Sequence, residues 1–391
     1  MSDSGKHIKE VRKRRGLTQR GLSAASGVSL SIIRKLEQGE RETARMETLR
    51  KLATALRVPT MRLAGDAAEE GPGEGTEQRW EAVRAALEQP PATPGSDDER
   101  PTVEGVRTSL AVEALPLYAA HEFSALSKVL GPMLRDAEAL GDDGRTTRVR
   151  LLQLAGGAMV HTRQFDAAET ALLRALNDAG DRLEGAATVN TLCWLRLRQG
   201  RLDTAYDLAV KWADEVEPRV SRATPTELST WGLLLLRVSA AAVRNGQTGQ
   251  AADALRLARA AAVALGREHT PENENLRSFG PLTVKLKAAE NASVAGRPDT
   301  VLRLAEGVPP LLLRSVTTSN RNRHMLDVAN AYAGTRRFPE AFEKLEEIRG
   351  GSPEWLPNQR YARDILGKII KGRRTLTDEM RTMADVVRLP L

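Results

Sequence analysis

Near the start of the chain, apolar residues recur at three- and four-residue intervals inside short stretches, and each stretch ends at a glycine. Ile8 and Val11 mark the inner face of a first helix over about 6–15, which Gly16 ends. Thr18 caps a second helix, Gln19 opens it, and Leu22 points inward. Gly27 stands where the chain needs a left-handed turn residue. Val28 is the apolar residue buried under that turn. Ser29 caps a third helix with Ile33 and Leu36 inward, and Gly39 closes it. A fourth helix is expected over 46–56, with Leu49, Leu52 and Leu56 on its inner face, before Val58-Pro59.

The pattern then changes. Residues 66–75 (DAAEEGPGEG) are acidic and rich in breakers, and 90–101 (PPATPGSDDERP) is a second such stretch. Between them, 76–89 predicts one short amphipathic helix holding Trp80, Val83 and Leu87. The spacing therefore divides the chain into a head at 1–65, a linker with a short helix at 66–102, and a body at 103–391. The body is rich in Ala, Leu and Arg, with apolar residues at helical spacing and no alternating strand pattern. The expected fold class is all-α.

Composition narrows the function classes. With 41% hydrophobic and 28% charged residues over 391 positions, the chain is globular rather than disordered, and long enough for two or three domains. A lone cysteine excludes a disulfide framework and points to a reducing compartment. The longest apolar stretch, Trp231 to Val243, is interrupted by Arg237, and the N-terminus lacks an apolar signal-peptide core. A cytoplasmic, nucleoid-associated protein with no membrane partner is expected. Charge is unevenly placed. Residues 1–65 hold 15 Lys and Arg against 6 Asp and Glu, a net of +9, whereas the other 326 residues hold 43 against 45, a net of −2. A strongly basic module on a near-neutral body suits a polyanion-binding head.

The run LTQRGLSAASGVSLSIIRKLEQG resembles the phage-repressor type of helix-turn-helix, the XRE family, over residues 5–65. The match joins Thr-Gln, Leu22, Gly27-Val28, Ile33, Leu36-Glu37 and Gly39. It departs at Gly21, which weakens the second helix by up to about 1 kcal/mol relative to Ala, and at Ser23, where a small Ala is usual. The resemblance implies a third helix lying in the major groove of double-stranded DNA. Its candidate DNA contacts are Gln19, Ser29, Leu30, Ser31, Arg34 and Lys35. Arg34 or Lys35 can donate to guanine, Ser31 can bond either base type, and Leu30 can meet a thymine methyl. Gln19 matches a phosphate-bonding position. Arg12 and Glu37 match a salt bridge tying the first helix to the third.

The body repeats. GAMVHTRQFDAAETALLRAL, WLRLRQGRLDTAYDLAVKWA, AAAVRNGQTGQAADALRLAR, NASVAGRPDTVLRLAEGV and AYAGTRRFPEAFEKLEEI share one frame. Small residues fall at Ala168, Ala205, Ala251, Val301 and Ala341. Twelve positions earlier stand Gly156, Cys193, Ser239, Ala289 and Ala329. A weaker unit precedes them, with Phe123 and Leu126. The frame resembles a TPR-like α-solenoid, although its spacings of 37, 46, 50 and 40 exceed the roughly 34 of a tetratricopeptide repeat. Such a stack has a concave face lined by the first helix of each pair. Carrying the frame over gives candidate ligand-binding residues Arg150, Gln153, His161, Asn190, Trp194, Arg198, Arg244, Glu290, Arg323 and Asn330. Amides such as Asn190 and Asn330 can hold a peptide backbone, and the arginines can pair with a carboxylate or phosphate.

No HExxH, phosphate-binding loop, or Cys or His cluster is present, so neither an enzyme nor a metal or other cofactor is expected. Head and repeats together resemble peptide-responsive quorum-sensing regulators of the Rgg, PlcR and Rap-like group, and the composition is of actinobacterial type. The expected protein is a homodimeric, sequence-specific transcriptional regulator with a peptide or small-molecule effector. An adaptor localised on DNA, or an antitoxin-like repressor, are the alternatives.

Overall fold

The computed structural model describes residues 3–40, 46–56, 58, 63, 76–88, 101–271, 277–373 and 375–390. Among these the regular elements are all helical, and a single β-bridge joins His269 to Phe279. The chain is all-α, with a helix-turn-helix head and a helical-repeat-like body.

The head is built from α1 (Asp3–Arg14), α2 (Gln19–Ser26), α3 (Leu30–Gln38) and α4 (Met46–Leu56). Ile8, Val11, Leu22, Val28, Ile33, Leu36, Leu49, Leu52 and Leu56 bury together in a core of its own. Local chemistry sets the α2–α3 turn. Thr18 Oγ1 accepts from the Gly21 amide at 2.9 Å, and Ser29 Oγ accepts from Ile32 at 3.4 Å. Gly27 ends α2 in the left-handed region at φ 67°. Two neighbours act differently from their sequence-based reading. A Cβ at Gly21 would stand 3.3 Å from Thr18 Oγ1, so glycine here keeps the cap clear as well as loosening the helix. Ser23 is more than a tolerated small residue: its hydroxyl donates to the Val28 carbonyl at 2.7 Å and ties the turn together.

The single helix expected over 76–89 is broken at Trp80, into a helical turn at Thr76–Arg79 and α5 (Glu81–Glu88). It belongs to the body's core rather than standing apart. Trp80, Val83 and Leu87 are buried with residues of α8 (Phe123–Ala139). The approach is close enough that a Cβ on Gly131 would stand 3.0 Å from the Ala82 carbonyl. Before α8 come α6 (Val103–Ser109), a π-helical turn at Leu110–Ala114, and α7 (Leu115–Ala120).

Five antiparallel pairs follow in the expected frame. They are α9 (Arg145–His161) with α10 (Phe165–Asn177), α11 (Arg182–Arg198) with α12 (Leu202–Glu215), and α13 (Pro225–Arg244) with α14 (Thr248–Leu265). Then come α15 (Pro281–Val294) with α16 (Pro298–Glu306), and α17 (Thr318–Gly334) with α18 (Phe338–Gly351). A further pair, α19 (Arg360–Lys371) and α20 (Asp378–Val386), lies beyond the frame.

One turn recurs at every step. Arg163, Gly200, Gly246, Gly296 and Arg336 all have φ between 63° and 78°, and each stands five residues before the small residue of the second helix. The next amide bonds back to a carbonyl five residues earlier, as in Gln164 to Met159 and Arg297 to Ala292. His121, at φ 61°, repeats the turn before Leu126, in the weaker unit. The ten small residues of the frame are all buried, and Ser239 Oγ donates to the Ala251 carbonyl across one pair at 2.8 Å. The longer spacings have visible causes: a 3-10 turn at Val220–Arg222, and the connection carrying the His269–Phe279 bridge.

Candidate nucleic-acid interface and inner face of the repeats

On α3 the inward and outward faces differ sharply. Ile33, Leu36 and Glu37 are buried, while Ser29, Ser31, Arg34 and Lys35 are exposed and Leu30 is half-buried. Glu37, the one carboxylate of α3, is turned inward. Its Oε1 accepts from Arg12 Nε at 2.6 Å, and its Oε2 accepts from Arg12 Nη2 and Gln19 Nε2, both at 2.8 Å. Arg12 also donates to the Leu17 carbonyl. Burial works to raise the Glu37 pKa, but the bonds from Arg12 and Gln19 hold it below the ordinary carboxylate range. The consequence is electrostatic: with its acid neutralised inside, α3 presents hydroxyls, cations and the Gln38 amide outward, and no carboxylate. Gln19 therefore shares in the clamp on α3 while marking the start of α2. Ser29 uses its oxygen as the cap acceptor, which leaves its O–H to donate.

The inner row of the repeats is crowded. Gln153 is buried and donates to Thr188 at 2.9 Å. Asn190, also buried, accepts from Arg237 Nε at 2.7 Å. Buried Glu290 receives Arg244 and Lys287, with Arg323 at 3.7 Å. Burial works to raise its pKa, but Lys287, Arg323 and Arg244 hold it well below the carboxylate range. Arg323 also pairs with Asp327 and stacks 4.6 Å from the Tyr361 ring centroid. Asn330 accepts from Lys368 at 2.8 Å. Arg150 is half-buried on α9. Apart from the Lys287–Glu290 and Arg323–Asp327 pairs within one helix, these contacts run between first helices of successive pairs, so Gln153, Asn190, Arg244, Glu290, Arg323 and Asn330 share one face. Gln153, Asn190, His161 and Glu290 are committed to its packing and do not stand open to a ligand.

The first and last pairs also meet. His161 Nδ1 accepts from Trp355 Nε1 at 3.2 Å, and Ser319 Oγ lies 3.3 Å from His161 Nε2 and 2.9 Å from His121 Nε2. His121 stacks on Trp355 with centroids 5.7 Å apart, and Trp194 meets His161 edge-on at 4.6 Å. Burial, helped by Arg321, pushes the His121 pKa down to about 4. Burial, then His121, Arg198 and Arg277, holds His161 well below the imidazole range. Arg198 reaches across to Gln359 Oε1 and the Asn358 carbonyl, both at 3.0 Å.

Sequence reasoning missed Arg163, Arg237, Arg277, Lys287, Asp327 and Trp355. Arg237 had a signal, as the charge that interrupts an apolar stretch. Arg277 had none, because it lies on a connection outside the repeat frame; its guanidinium stands 5.3 Å from the Trp194 ring centroid. Cys193 is buried, which pushes its thiol up to about 12 and leaves it a packing residue. A surface cleft of about 560 Å³ lies between α8, α9 and α10, but its charges pair with one another, as Arg148 with Asp178 and Arg174 with Glu138. Among the described residues no cluster of three or more His, Cys, Asp or Glu is placed to hold a metal, and no helix is long and apolar enough to cross a membrane.

Two capped helices about a Gly-Val-Ser turn, with the second offering a basic outer face, define a helix-turn-helix. Residues 8–63 match the family model described as helix-turn-helix, and the head is of the XRE type. Over 59 residues the chain is 42% identical to an uncharacterized HTH-type transcriptional regulator, RghRB, and 37% identical to the HTH-type transcriptional repressor RghR, both of Bacillus subtilis (strain 168). Each match covers 15% of this chain, which spans 42% and 44% of those relatives. No solved structure matches the chain.

Proposed function

We propose that this protein is a transcriptional regulator whose head reads a DNA sequence and whose repeat body dimerises and senses a signal. The observation that carries the reading is the outer face of α3, where Ser31, Arg34 and Lys35 are exposed and Glu37 is withdrawn to Arg12. Arg34 and Lys35 donate to guanine edges in the major groove, and Ser29 and Gln19 position the helix on phosphates. RghR, described as a repressor, shares the head, which favours a regulator over an adaptor merely held on DNA. A dimer places two heads on half-sites about one DNA turn, ~34 Å, apart, which gives the specificity that a single small head lacks. The body is a TPR-like solenoid of the peptide-responsive kind, and an effector on its inner face shifts head spacing through differential affinity for two curvatures.

Fluorescence anisotropy on the DNA upstream of the protein's own gene, against scrambled DNA at two salt concentrations, tests this. The expected preference is about 10³-fold or more. Arg34→Ala should erase most of that preference while leaving weak, steeply salt-dependent binding. Equal affinity of wild type and variant for both DNAs would favour the adaptor.

A further inference from the structure

The second helices of the repeat pairs mostly turn charge to solvent. Asp207 and Lys211 are exposed on α12, Asp299 and Arg303 on α16, and Glu343 and Glu347 on α18. α14 does not follow this pattern. One side of it is buried through alanines such as Ala254, Ala258 and Ala261. Its exposed side carries Leu257, Ala260, Val263 and Ala264, with Leu257 49% and Val263 72% exposed. No other α-helix among the described residues exposes two large apolar side chains. At about 100° per residue, these four positions, with Asp253 and Arg256, fall within about 60° of Ala260 and form one face. An apolar face left outside a folded chain marks a contact with a partner.

The order of charges along this face names the partner. Asp253 stands seven residues before Ala260, and Arg267 seven residues after it, just past the helix end at Gly266. A second copy, packed antiparallel about a two-fold axis at Ala260, sets Asp253 beside Arg267 of the partner subunit, and does so twice. The same register lays Leu257 on Ala264 of the partner subunit, a large side chain over a small one. It lays Val263 on the aliphatic stem of the partner subunit's Arg256. Ala260 meets its own copy, and its small side chain lets the helix axes approach to about 8 Å. A parallel pair sets Asp253 against its own copy, and Arg256 likewise, so like charges repel. Asp253 also pairs with Arg256 within α14 through Oδ1, but the two side chains are 65% and 72% exposed, so this pair is weak and open to a second partner.

We propose that the outer face of α14 is the surface through which two copies of this chain associate. The proposal rests on reading the protein as a dimer and names the face and the register that the dimer uses. Area sets its strength. α14 has 18 residues and is about 27 Å long. One helix pair of that length buries less than the roughly 1,600 Å² of a standard interface. The free dimer is therefore weak, with a Kd of about 1 μM or higher. Two heads held on one DNA raise the effective concentration that assembles it.

Sedimentation equilibrium of the full-length protein, over about 1–200 μM, should show monomer and dimer in exchange. Ala260→Glu places two carboxylates at the axis and should weaken the dimer by about tenfold or more. Ala260 is exposed and Glu is a good helix former, so Tm should not fall. Asp253→Arg and Arg267→Asp should each weaken the dimer by about threefold, and the two changes together should restore it. Ala260→Cys should cross-link two chains under mild oxidation. Ala252→Cys, whose copies the same register holds about 24 Å apart, should not. The native Cys193 is buried and takes no part. A dimer unmoved by Ala260→Glu and by both reversals lies on another face, so the proposal falls while the dimeric reading stands. Reversals that weaken the dimer without rescuing one another overturn the antiparallel register. A chain that stays monomeric throughout and does not cross-link at position 260 overturns the surface and the dimer together, and leaves DNA reading by Arg34 as a separate question.

Discussion

Glu37 joins three parts of the head through two oxygens, because Arg12 and Gln19 both reach it from other helices. With side-chain exposures of 10% for Arg12 and 2% for Glu37, the pair is buried, and breaking such a pair leaves a charge stranded. Glu37→Ala should destabilise the head by about 3 kcal/mol, read as faster native-state hydrogen exchange of α1 to α3. The double change Arg12→Met with Glu37→Leu should return most of that loss. A cost for Glu37→Ala within about 0.5 kcal/mol, as for a surface change, would mean that the pair does not hold the helices. The direction of the Glu37 pKa sets the acid behaviour of the head. Its contribution is present above the unfolded carboxylate value and is lost as pH falls through the lower folded value.

At the level of elements, the recurrent turn explains both the regularity and the defects of the repeat. A left-handed residue must follow each first helix so that the next amide can reach back five residues, and glycine meets that need without strain. Arg336 fills the position at φ 63° and is exposed. Arg336→Gly should therefore stabilise the body by about 0.5–1 kcal/mol, measured as a higher midpoint in urea. A lower midpoint would show that the arginine side chain holds the turn. The frame was legible in the sequence because helix-pair packing demands small residues at fixed positions, as at Cys193 and Ala205. The spacing of 50 between Ala251 and Val301 was legible only as a number. The connection that lengthens it carries Phe279, seated so closely on Gly232 that a Cβ there would come within 2.0 Å of the ring, a contact between elements far apart in the chain.

Across the whole molecule, early and late elements of the repeat body meet. Trp355 is 3% exposed and donates to His161, and Glu354 accepts from the Ser124 amide and hydroxyl. Trp355→Ala should cost about 3–5 kcal/mol and broaden the tryptophan-fluorescence melt, as the last pairs uncouple from the first. An unchanged, sharp transition would show that the ends do not cooperate. The same junction makes the body acid-sensitive. His121 and His161 are buried as neutral imidazoles, with folded pKa values below the unfolded value of about 6.5. The unfolded chain then binds protons that the folded chain refuses. Their stabilisation is complete above pH about 6.5 and declines as pH falls, for His121 down to about 4. Each imidazole lowers stability by about 1.4 kcal/mol per pH unit in that window. His161→Gln keeps an acceptor for Trp355 and should flatten the fall in Tm between pH 6.5 and 4.5. An equal fall in wild type and variant would mean that His161 is not the buried neutral group.

What the sequence determined by itself is local. Caps at Thr18 and Ser29, the glycine at 27, the apolar spacing of Ile33 and Leu36, and the charge difference between head and body all act within a few residues, so one-dimensional order records them. The exposed basic face of α3 follows from the same periodicity. The tertiary structure decided which polar residues of the inner face stay open and which are consumed by packing. Arg198, Asn190 and Gln153 look alike in the repeat frame. Folding gives Asn190 an arginine 47 residues away, Gln153 a threonine 35 residues away and Arg198 a glutamine 161 residues away. That outcome depends on contacts between successive pairs and between the first and last pairs, which arise only when distant helices are brought together.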